Sequence, residues 1–142
     1  MQVKIVTNDQ ELQDAYSIRS KVFIEEQNVP AEEEIDEHET SAAHFVLYDA
    51  SCAAIAAGRF RVLEGIGKVE RICVVKEQRG TGVGKVLMER IEEYAHELGI
   101  SQLKLNAQTQ AIPFYSKLGY EIVSEEFLDA GIPHRTMKKA LG

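Results

Sequence analysis

The stretch QRGTGVGK (residues 78–85) places three glycines within five residues, between an apolar strand and the most regular helical pattern of the chain. Glycine lets a backbone turn sharply and approach a ligand closely. A helix is predicted after it from the spacing of Val83, Leu87 and Ile91, and Gly99 ends that helix. The first N–H groups of a helix have no partner within it, so this turn is suited to a phosphate or pyrophosphate.

Arg79 and Lys85 could add positive charge to such an anion site, and an arginine can bind a phosphate through two N–H groups. A Walker A loop is excluded. Only three residues separate Gly80 from Gly84, and Val86 stands where a Mg²⁺-binding hydroxyl is required. The spacing also fits a dinucleotide fingerprint poorly. A coenzyme A pyrophosphate loop and a purely structural glycine-rich connection remain as interpretations.

Hydrophobic patterning around this turn predicts a mixed sheet with flanking helices. Apolar runs or alternation predict strands at residues 3–6, 44–48, 52–62, 68–75, 103–108, 120–123 and 136–139. Periodic apolar positions predict helices within 12–23, 83–98 and 111–118. Short turns between the second, third and fourth strands indicate antiparallel pairing there, so the chain is not a regular doubly wound fold.

Length and composition restrict the class of protein. The 142 residues suffice for one domain, and 44% hydrophobic with 27% charged residues is typical of a globular chain. The net charge of −7 argues against nucleic-acid binding and favours a cationic small molecule. No membrane segment, signal peptide or metal site is predicted. Cys52 and Cys73 are interpreted as buried free thiols, which fits a cytoplasmic location.

An acidic segment spans residues 32–39 and includes six carboxylates. The simplest prediction is a solvated loop or a short helix. A second hypothesis is that these carboxylates attract a cationic small molecule such as a polyamine or an amino sugar.

Two motifs are similar to those of the GNAT acetyltransferases. RGTGVG (residues 79–84) follows the apolar run ICVV (72–75) and resembles the family signature R/Q-x-x-G-x-G/A. AIPFYSKLGY (111–120) resembles the later family block A-x-x-F-Y-x-K-x-G-F/Y. The order of predicted elements resembles that family over nearly the whole chain. Further positions resemble the small bacterial ElaA and YjcF-type branch: residues 19–23 and 26–30, Asp36, His44, Gly58, Arg59 and residues 131–134.

The resemblance implies the α/β GNAT acyl-CoA N-acyltransferase fold, whose mostly antiparallel central sheet splays at its middle between flanking helices. Acetyl-CoA is the implied co-substrate, with its pantetheine arm paired to the fourth strand inside the splay. The implied coenzyme-binding residues are Ile72, Cys73 and Val74 on that strand, Arg79, Gly80, Thr81, Gly82, Val83, Gly84 and Lys85 in the glycine turn, and Asn106 on the fifth strand. Asn106 could instead face solvent.

Two side chains are the candidate catalytic groups. Tyr115 matches the family position that protonates the leaving thiolate, and its alternative role is core packing beside Phe114. Glu70 is the candidate general base, and its alternative role is an ion pair with Lys68 or Arg71. An ordered water could replace a dedicated base.

The candidate acceptor-binding side chains are Glu26, Gln27, His44, Gln108 and His134. Either histidine is also an alternative base, since a neutral imidazole accepts a proton near neutral pH. For each of these residues, a structural or solvent-exposed role is the alternative. The implied function is N-acetyl transfer to a primary amine of a small molecule or a protein. The competing hypothesis is a non-catalytic acyl-CoA sensor on the same fold. An exposed sheet edge near the C-terminus could pair in a homodimer.

Overall fold

The computed structural model describes residues 1–141 and contains an eight-stranded sheet with helices on both faces. The strands are β1 (Gln2–Ile5), β2 (Ala43–Tyr48), β3 (Ala54–Leu63), β4 (Ile66–Val74), β5 (Gln102–Gln108), β6 (Glu121–Ile122), β7 (Phe127–Asp129) and β8 (Ile132–Ala140). The α-helices are α1 (Asp9–Arg19), α2 (Ala31–Glu34), α3 (Val83–Glu97) and α4 (Ile112–Lys117), and a π-helical stretch, Ser20–Glu26, continues α1. No helix among these residues is both long and apolar enough to cross a membrane.

Helix α1 begins with a side-chain cap. The Asn8 side chain accepts a hydrogen bond from the Glu11 N–H at 2.8 Å, and the Glu11 carboxylate in turn accepts one from the Thr7 N–H at 2.8 Å. Two N–H groups at the helix entrance are thereby satisfied, which defines where the first strand ends and α1 starts.

The sheet opens between β4 and β5. Its order is β1-β2-β3-β4-β5-β8-β6, with β7 also paired to β8, and only β4 and β5 are parallel. These two strands pair only over Gly67–Val69 and Leu103–Leu105. Beyond that point β4 continues beside β3, while β5 continues beside β8 as far as Gln108. The strands therefore diverge, and the predicted splayed sheet is confirmed.

A β-bulge lies on β4 where the divergence starts. Arg71 adopts a positive φ of 57°, and the β3–β4 register shifts by one residue between Ala57 and Arg59. A bulge bends its strand and increases the local twist, which turns β4 away from β5. Gly58 faces the bulge, and a Cβ there would lie 2.7 Å from Ile72 Cδ1, so a larger residue would force the Ile72 side chain to move.

Two apolar clusters cover the two faces of the sheet. Helices α3 and α4 pack on one face through residues that include Leu87, Ile91 and Tyr115. Helix α1 packs on the other face through residues that include Ile18, against Cys73. We call these the α3 face and the α1 face, and the opening between β4 and β5 connects them.

Most predicted elements are found within a few residues of their predicted bounds. Strand β7 was not predicted, because Phe127–Asp129 is only three residues long and forms a hairpin with β8. The π-helical stretch was not predicted either, because the apolar spacing of residues 12–23 is compatible with one uninterrupted helix.

Candidate functional site

The glycine turn is the candidate anion site, at the start of α3. Gly80 and Gly82 have positive φ values of 79° and 89°, a conformation that glycine adopts without steric cost. Gly82 caps α3, and no side chain satisfies the first helical N–H groups. The first backbone bond of the helix runs from the Val86 N–H to the Gly82 carbonyl. The N–H groups of residues 83–85 are thus free for an anion, which the helix dipole also favours.

Gly84 is required for packing rather than for backbone freedom. A Cβ at this position would lie 3.0 Å from Phe114 Cζ, so the α4 aromatic residue packs directly on the first turn of α3. This contact holds the glycine turn beside the helix that carries Tyr115, because Phe114 and Tyr115 are neighbours in the chain with ring centroids 5.0 Å apart.

The Arg79 guanidinium is hydrogen-bonded to Glu26 and to the backbone of β4. Its two terminal nitrogens donate to the Glu26 carboxylate at 2.6 and 2.8 Å, and its Nε donates to the Val74 carbonyl at 3.0 Å. The Arg79–Glu26 pair is exposed, with 41% and 37% of the two side chains accessible. An exposed pair of this kind contributes at most about 1 kcal/mol and can be displaced by a stronger anion.

The backbone of β4 faces the opening at Val74. The Val75 N–H donates to the Ile55 carbonyl on β3, and alternate residues of an antiparallel ladder direct their polar groups to opposite sides. Val74 therefore directs its N–H and C=O away from β3: the N–H faces the opening, and the C=O accepts the hydrogen bond from Arg79 Nε. Cys73 is buried on the α1 face, and this burial raises the pKa of its thiol to about 12.

Tyr115 lies beside the opening on the α3 face, where burial raises the pKa of its phenol. Only 8% of the residue is accessible. Within residues 1–141, the one fully buried side-chain polar atom without a hydrogen-bond partner is His44 Nδ1. The Tyr115 hydroxyl, which makes no hydrogen bond to those residues, must therefore reach solvent. A phenol that stays protonated and remains open to a ligand can donate a proton.

Glu26 and Gln27 connect the two sides of the opening. Glu26 binds Arg79, whose Nε bonds to the end of β4, and Gln27 Oε1 accepts a hydrogen bond from Gln108 Nε2 at 2.8 Å, at the end of β5. Both residues lie at the end of the π-helical stretch, where Gln27 is its C-cap. Two candidate acceptor-binding residues therefore lie over the opening on the α1 face.

His134 joins Gln108 at this end of the sheet. The two are direct cross-strand partners on β8 and β5, and His134 also stacks on Phe127 with ring centroids 6.0 Å apart. Two positions further along the same face, exposed Asn106 accepts a hydrogen bond from Thr136 Oγ1 at 2.9 Å. The structure thus brings together Gln27, Gln108 and His134. The side-chain amide oxygen of Asn106 is held by its hydrogen bond to Thr136 on β8.

The acidic segment is only partly solvated, which corrects the first prediction for it. Glu34 and Glu39 are buried, and both bind Arg19, which is itself 0% exposed. Asp36 and Glu39 bind Arg59, which is 1% exposed. We call this cluster the buried ion network; its members are Arg19, Glu34, Asp36, Glu39, Arg59, Arg61, Glu70 and Arg71.

The buried ion network contains four arginines and four carboxylates, so its formal charges cancel. Each of its carboxylates is paired with arginines of the same network, because a buried charge is tolerated only when it is paired. Glu34, Asp36 and Glu39 therefore cannot serve as the predicted attraction for a cationic acceptor. Exposed Glu32, Glu33 and Glu37 keep only a general surface charge.

Glu70 belongs to this network, which opposes its predicted role as general base. Arg59 and Arg61 donate to its carboxylate at 2.7 to 3.1 Å, and Lys68 lies 3.7 Å away. Burial alone would raise the pKa of Glu70, but these arginines outweigh burial and lower it. The alternative role of an ion pair holds, with Arg59 and Arg61 as the main partners in place of Arg71.

His44 lies on β2, away from the opening. Its Nε2 lies 2.7 Å from the Glu39 carbonyl, which can only accept, so Nε2 carries the proton. Burial lowers the pKa of the ring, and its edge packs on Tyr16. The predicted acceptor role is not supported by this position, because β3 and β4 separate β2 from the opening.

The network should make the folded state sensitive to acid. Burial raises the pKa of Asp36, but hydrogen bonds from Arg59 and the His38 N–H lower it overall to about 2, and the pKa of Glu39 is lowered as well. The unfolded chain therefore binds these protons at higher pH than the folded chain. The ordinary pKa values of the two side chains are 3.8 for Asp36 and 4.5 for Glu39. We expect the free energy of unfolding to keep this contribution at pH values above these and to fall as the pH drops from there towards about 2.

Urea unfolding followed over that pH range measures this effect. Asp36→Asn removes one of the titrating groups and should give a flatter pH dependence than the unchanged protein. An unfolding free energy that stays constant below pH 4 would contradict the expectation.

Comparison with known proteins agrees with this geometry. The sequence profile described as an acetyltransferase (GNAT) domain matches residues 6–141. The chain belongs to the GNAT acetyltransferase family. It is 53% identical over 140 residues to the protein named uncharacterized N-acetyltransferase YjcF of Bacillus subtilis, covering 98% of this chain and 99% of that one.

Solved structures show the same fold for this acetyltransferase. An acyl-CoA N-acyltransferase from Pseudomonas aeruginosa superposes with a TM-score of 0.85 at 26% identity, covering 98% of each chain. Escherichia coli ElaA superposes with a TM-score of 0.83 at 24% identity, covering 97% of each chain. The family, its ElaA and YjcF-like branch, the fold class and the acyltransferase class are therefore confirmed.

The buried ion network is the feature that sequence reasoning missed. Its signal was present, because Arg19, Asp36, His44 and Arg59 stand among the positions that resemble the ElaA and YjcF-type branch. Arg19 and Arg59 were interpreted only as marks of relationship, Asp36 also as part of the acidic segment and His44 also as a candidate acceptor-binding residue. The ion pairs among the network's members join residues 9 to 35 positions apart in the chain, and no local pattern reports such pairs.

Proposed function

We propose that this chain is an N-acetyltransferase that moves the acetyl group of acetyl-CoA to a primary amine of a small molecule. The observation that carries the proposal is the opening between β4 and β5, with an anion site at one end and the Tyr115 hydroxyl beside it. A long, thin ligand with a diphosphate at one end and a thioester at the other fits this arrangement.

The chain's own groups divide the work of binding this ligand. The N–H groups at the start of α3 would hold the diphosphate, supported by Lys85. The β4 backbone around Val74 would pair with the amide arm, and the Val74 carbonyl would become available when Arg79 turns from it to the diphosphate. The Val74 N–H faces the opening and would also polarise the thioester carbonyl. Side-chain identity at Ile72 and Cys73 would matter little, because backbone groups make these bonds.

The transfer needs one proton acceptor and one proton donor. The ammonium form of the acceptor loses a proton, and the lone pair of the resulting neutral amine forms a C–N bond to the thioester carbon. As the C–S bond breaks, the thiolate takes the proton of the Tyr115 hydroxyl. The phenolate recovers a proton from the attacking nitrogen, which leaves a neutral amide and free CoA. The raised pKa of Tyr115 keeps this proton in place until the thiolate forms.

The proposal is tested with acetyl-CoA and a panel of spermidine, glucosamine, lysine and propylamine, with thiol release as the signal. Turnover of one or more amines, together with a matching acetylated product by mass spectrometry, is the expected result. Binding of CoA in calorimetry without turnover of any amine would contradict the proposal and support the sensor hypothesis. Absence of CoA binding by the folded protein would remove both.

The Glu26–Arg79 pair yields a prediction for CoA affinity. Glu26 occupies the guanidinium that a diphosphate would also use. Glu26→Gln should therefore tighten CoA binding by about 1.5- to 5-fold, the equivalent of an exposed pair worth about 0.2–1 kcal/mol. Isothermal titration calorimetry with CoA measures the change.

Glu25→Gln is the matched control, since Glu25 is an exposed neighbour of the same charge. It should leave the affinity for CoA nearly unchanged, and added salt should shrink the difference between the two variants. Weaker CoA binding in Glu26→Gln would show that Glu26 supports Arg79 and does not compete for it.

A further inference from the structure

The imidazole of His134 is held in a single tautomer. Its Nδ1 lies 2.6 Å from the Ile132 carbonyl oxygen, which can only accept a hydrogen bond. In the neutral ring Nδ1 therefore carries the proton, and Nε2 keeps its lone pair. A histidine used as a proton acceptor requires this arrangement, in which one nitrogen is anchored and the other is free.

The free nitrogen is fixed in place yet open to a ligand. His134 is 8% exposed and stacks on Phe127 with an interplanar angle of 20°. Nε2 makes no hydrogen bond to residues 1–141, and it is not among their fully buried unpartnered atoms, where only His44 Nδ1 occurs. Nε2 must therefore be accessible from solvent on a ring that the neighbouring strand holds still.

His134 lies on the face of the sheet opposite Tyr115. Met137, three residues further along β8, is buried in the α3-face cluster with Tyr115, and strand alternation places His134 on the α1 face. His134 is on β8, one strand beyond β5, and its cross-strand partner Gln108 bonds to Gln27. The ring is therefore the neighbour of a residue that borders the opening on the α1 face, while Tyr115 lies on the α3 face.

We propose that His134 is the catalytic base of this acetyltransferase. This inference rests on the proposed N-acetyltransferase function. His134 Nε2 takes a proton from the ammonium form of the acceptor, which becomes the neutral amine that attacks the thioester. The imidazolium then releases this proton to solvent, while Tyr115 protonates the thiolate from the opposite side. One proton leaves the ammonium before attack and a second leaves the nitrogen during C–S cleavage, so the reaction balances.

The other candidate bases are less suited to this step. The Glu70 carboxylate receives hydrogen bonds from Arg59 and Arg61, which stabilise its charged form and make it a weak acceptor. His44 has its free nitrogen sealed in the interior. Of the three candidates, His134 alone combines a free lone pair with solvent access and a position next to Gln108, which borders the opening.

The test compares His134→Gln with the unchanged protein in two aminolysis reactions of acetyl-CoA. The first acceptor is the fastest amine of the panel of spermidine, glucosamine, lysine and propylamine, each protonated at neutral pH. The second is hydroxylamine, which is already neutral there. We expect kcat to fall by about 100-fold with the protonated amine and by far less with hydroxylamine. The CoA affinity measured by calorimetry should stay the same.

His96→Gln is the matched control, because His96 is an exposed histidine near the end of α3. It should leave both reactions unchanged. Equal losses with the two acceptors, or no loss with either, would overturn the assignment of His134 while leaving the proposed function intact. No turnover by the unchanged protein with any of these amines would overturn the proposed function and the assignment with it.

Nuclear magnetic resonance of the unchanged protein tests the same inference without relying on a variant that could misfold. Nitrogen chemical shifts of the His134 ring should show the proton on Nδ1 in the neutral form. A proton found on Nε2 would overturn the inference, because that nitrogen would then have no lone pair to offer.

Discussion

Tyr115→Phe is expected to lower kcat for acetyl transfer by about 100- to 10,000-fold, the usual contribution of a general acid. The variant loses one hydroxyl and keeps the ring, so its packing against Phe114 and Tyr120 should persist. Because that hydroxyl makes no hydrogen bond to residues 1–141, removing it breaks no internal contact there. The loss should therefore appear in the rate and scarcely in the stability. Thiol release and calorimetry with CoA measure the rate and the binding separately.

Tyr120→Phe is the matched control for this experiment. Tyr120 packs on Tyr115, but its hydroxyl donates to Glu92 at 2.8 Å and faces away from the reaction. Its loss should cost some stability, about 1 kcal/mol for one hydrogen bond, and leave the rate nearly unchanged. A Tyr115→Phe variant as fast as the unchanged protein would assign the thiolate proton to water and Tyr115 to core packing.

Arg59→Met should lower the free energy of unfolding by about 3–5 kcal/mol, the range found when one partner of a buried ion pair is removed. Arg59 is 1% exposed and donates to Asp36, Glu39 and Glu70 at 2.7 to 3.1 Å. Methionine fills much of the same volume but leaves these carboxylates without a main counter-charge. Since folded domains are stable by only about 5–15 kcal/mol, this change approaches the unfolding limit. Urea unfolding measures it.

Two further variants separate charge from packing. Arg90→Met removes a partly exposed arginine of α3 that pairs with exposed Glu93 and Glu97, and it should cost less than about 1 kcal/mol. The double variant Arg59→Met with Glu70→Met removes a buried charge of each sign and should recover part of the loss. A loss of less than about 1 kcal/mol for Arg59→Met alone would show that water solvates the carboxylates left without Arg59. That result would contradict the burial of the network.

The network also bears on how the acceptor side of the site is held. Residues 31–40 contain few apolar anchors, and Arg19, Arg59 and Arg71 bind them to α1, β3 and β4. Ion pairs thereby attach this segment to the rest of the domain, whereas the helices are attached to the sheet by apolar contacts. Variants of these arginines should disturb the acceptor side before they disturb the anion site, which depends on local backbone geometry.

Local patterns in the sequence were enough for the elements and for the anion site. The glycines at 80, 82 and 84, the helix that follows and the strand before them are neighbours in the chain, so short-range geometry defines the turn. The resemblance of residues 79–84 and 111–120 to GNAT motifs predicted the family and made Tyr115 a candidate. The match to the GNAT profile confirms the family. The roles of the individual residues stay predictions.

The sequence alone determined the order of strands and helices, the anion-binding turn and the membership of the family, because each depends on residues that are close together in the chain. Only the tertiary structure decided which charges are buried in pairs, which histidine lies next to a residue at the opening and why Glu70 is a weak proton acceptor. Those properties arise where β3, β4, β5 and β8 meet residues 19–39, and hydrogen bonding and desolvation there depend on contacts across long chain separations.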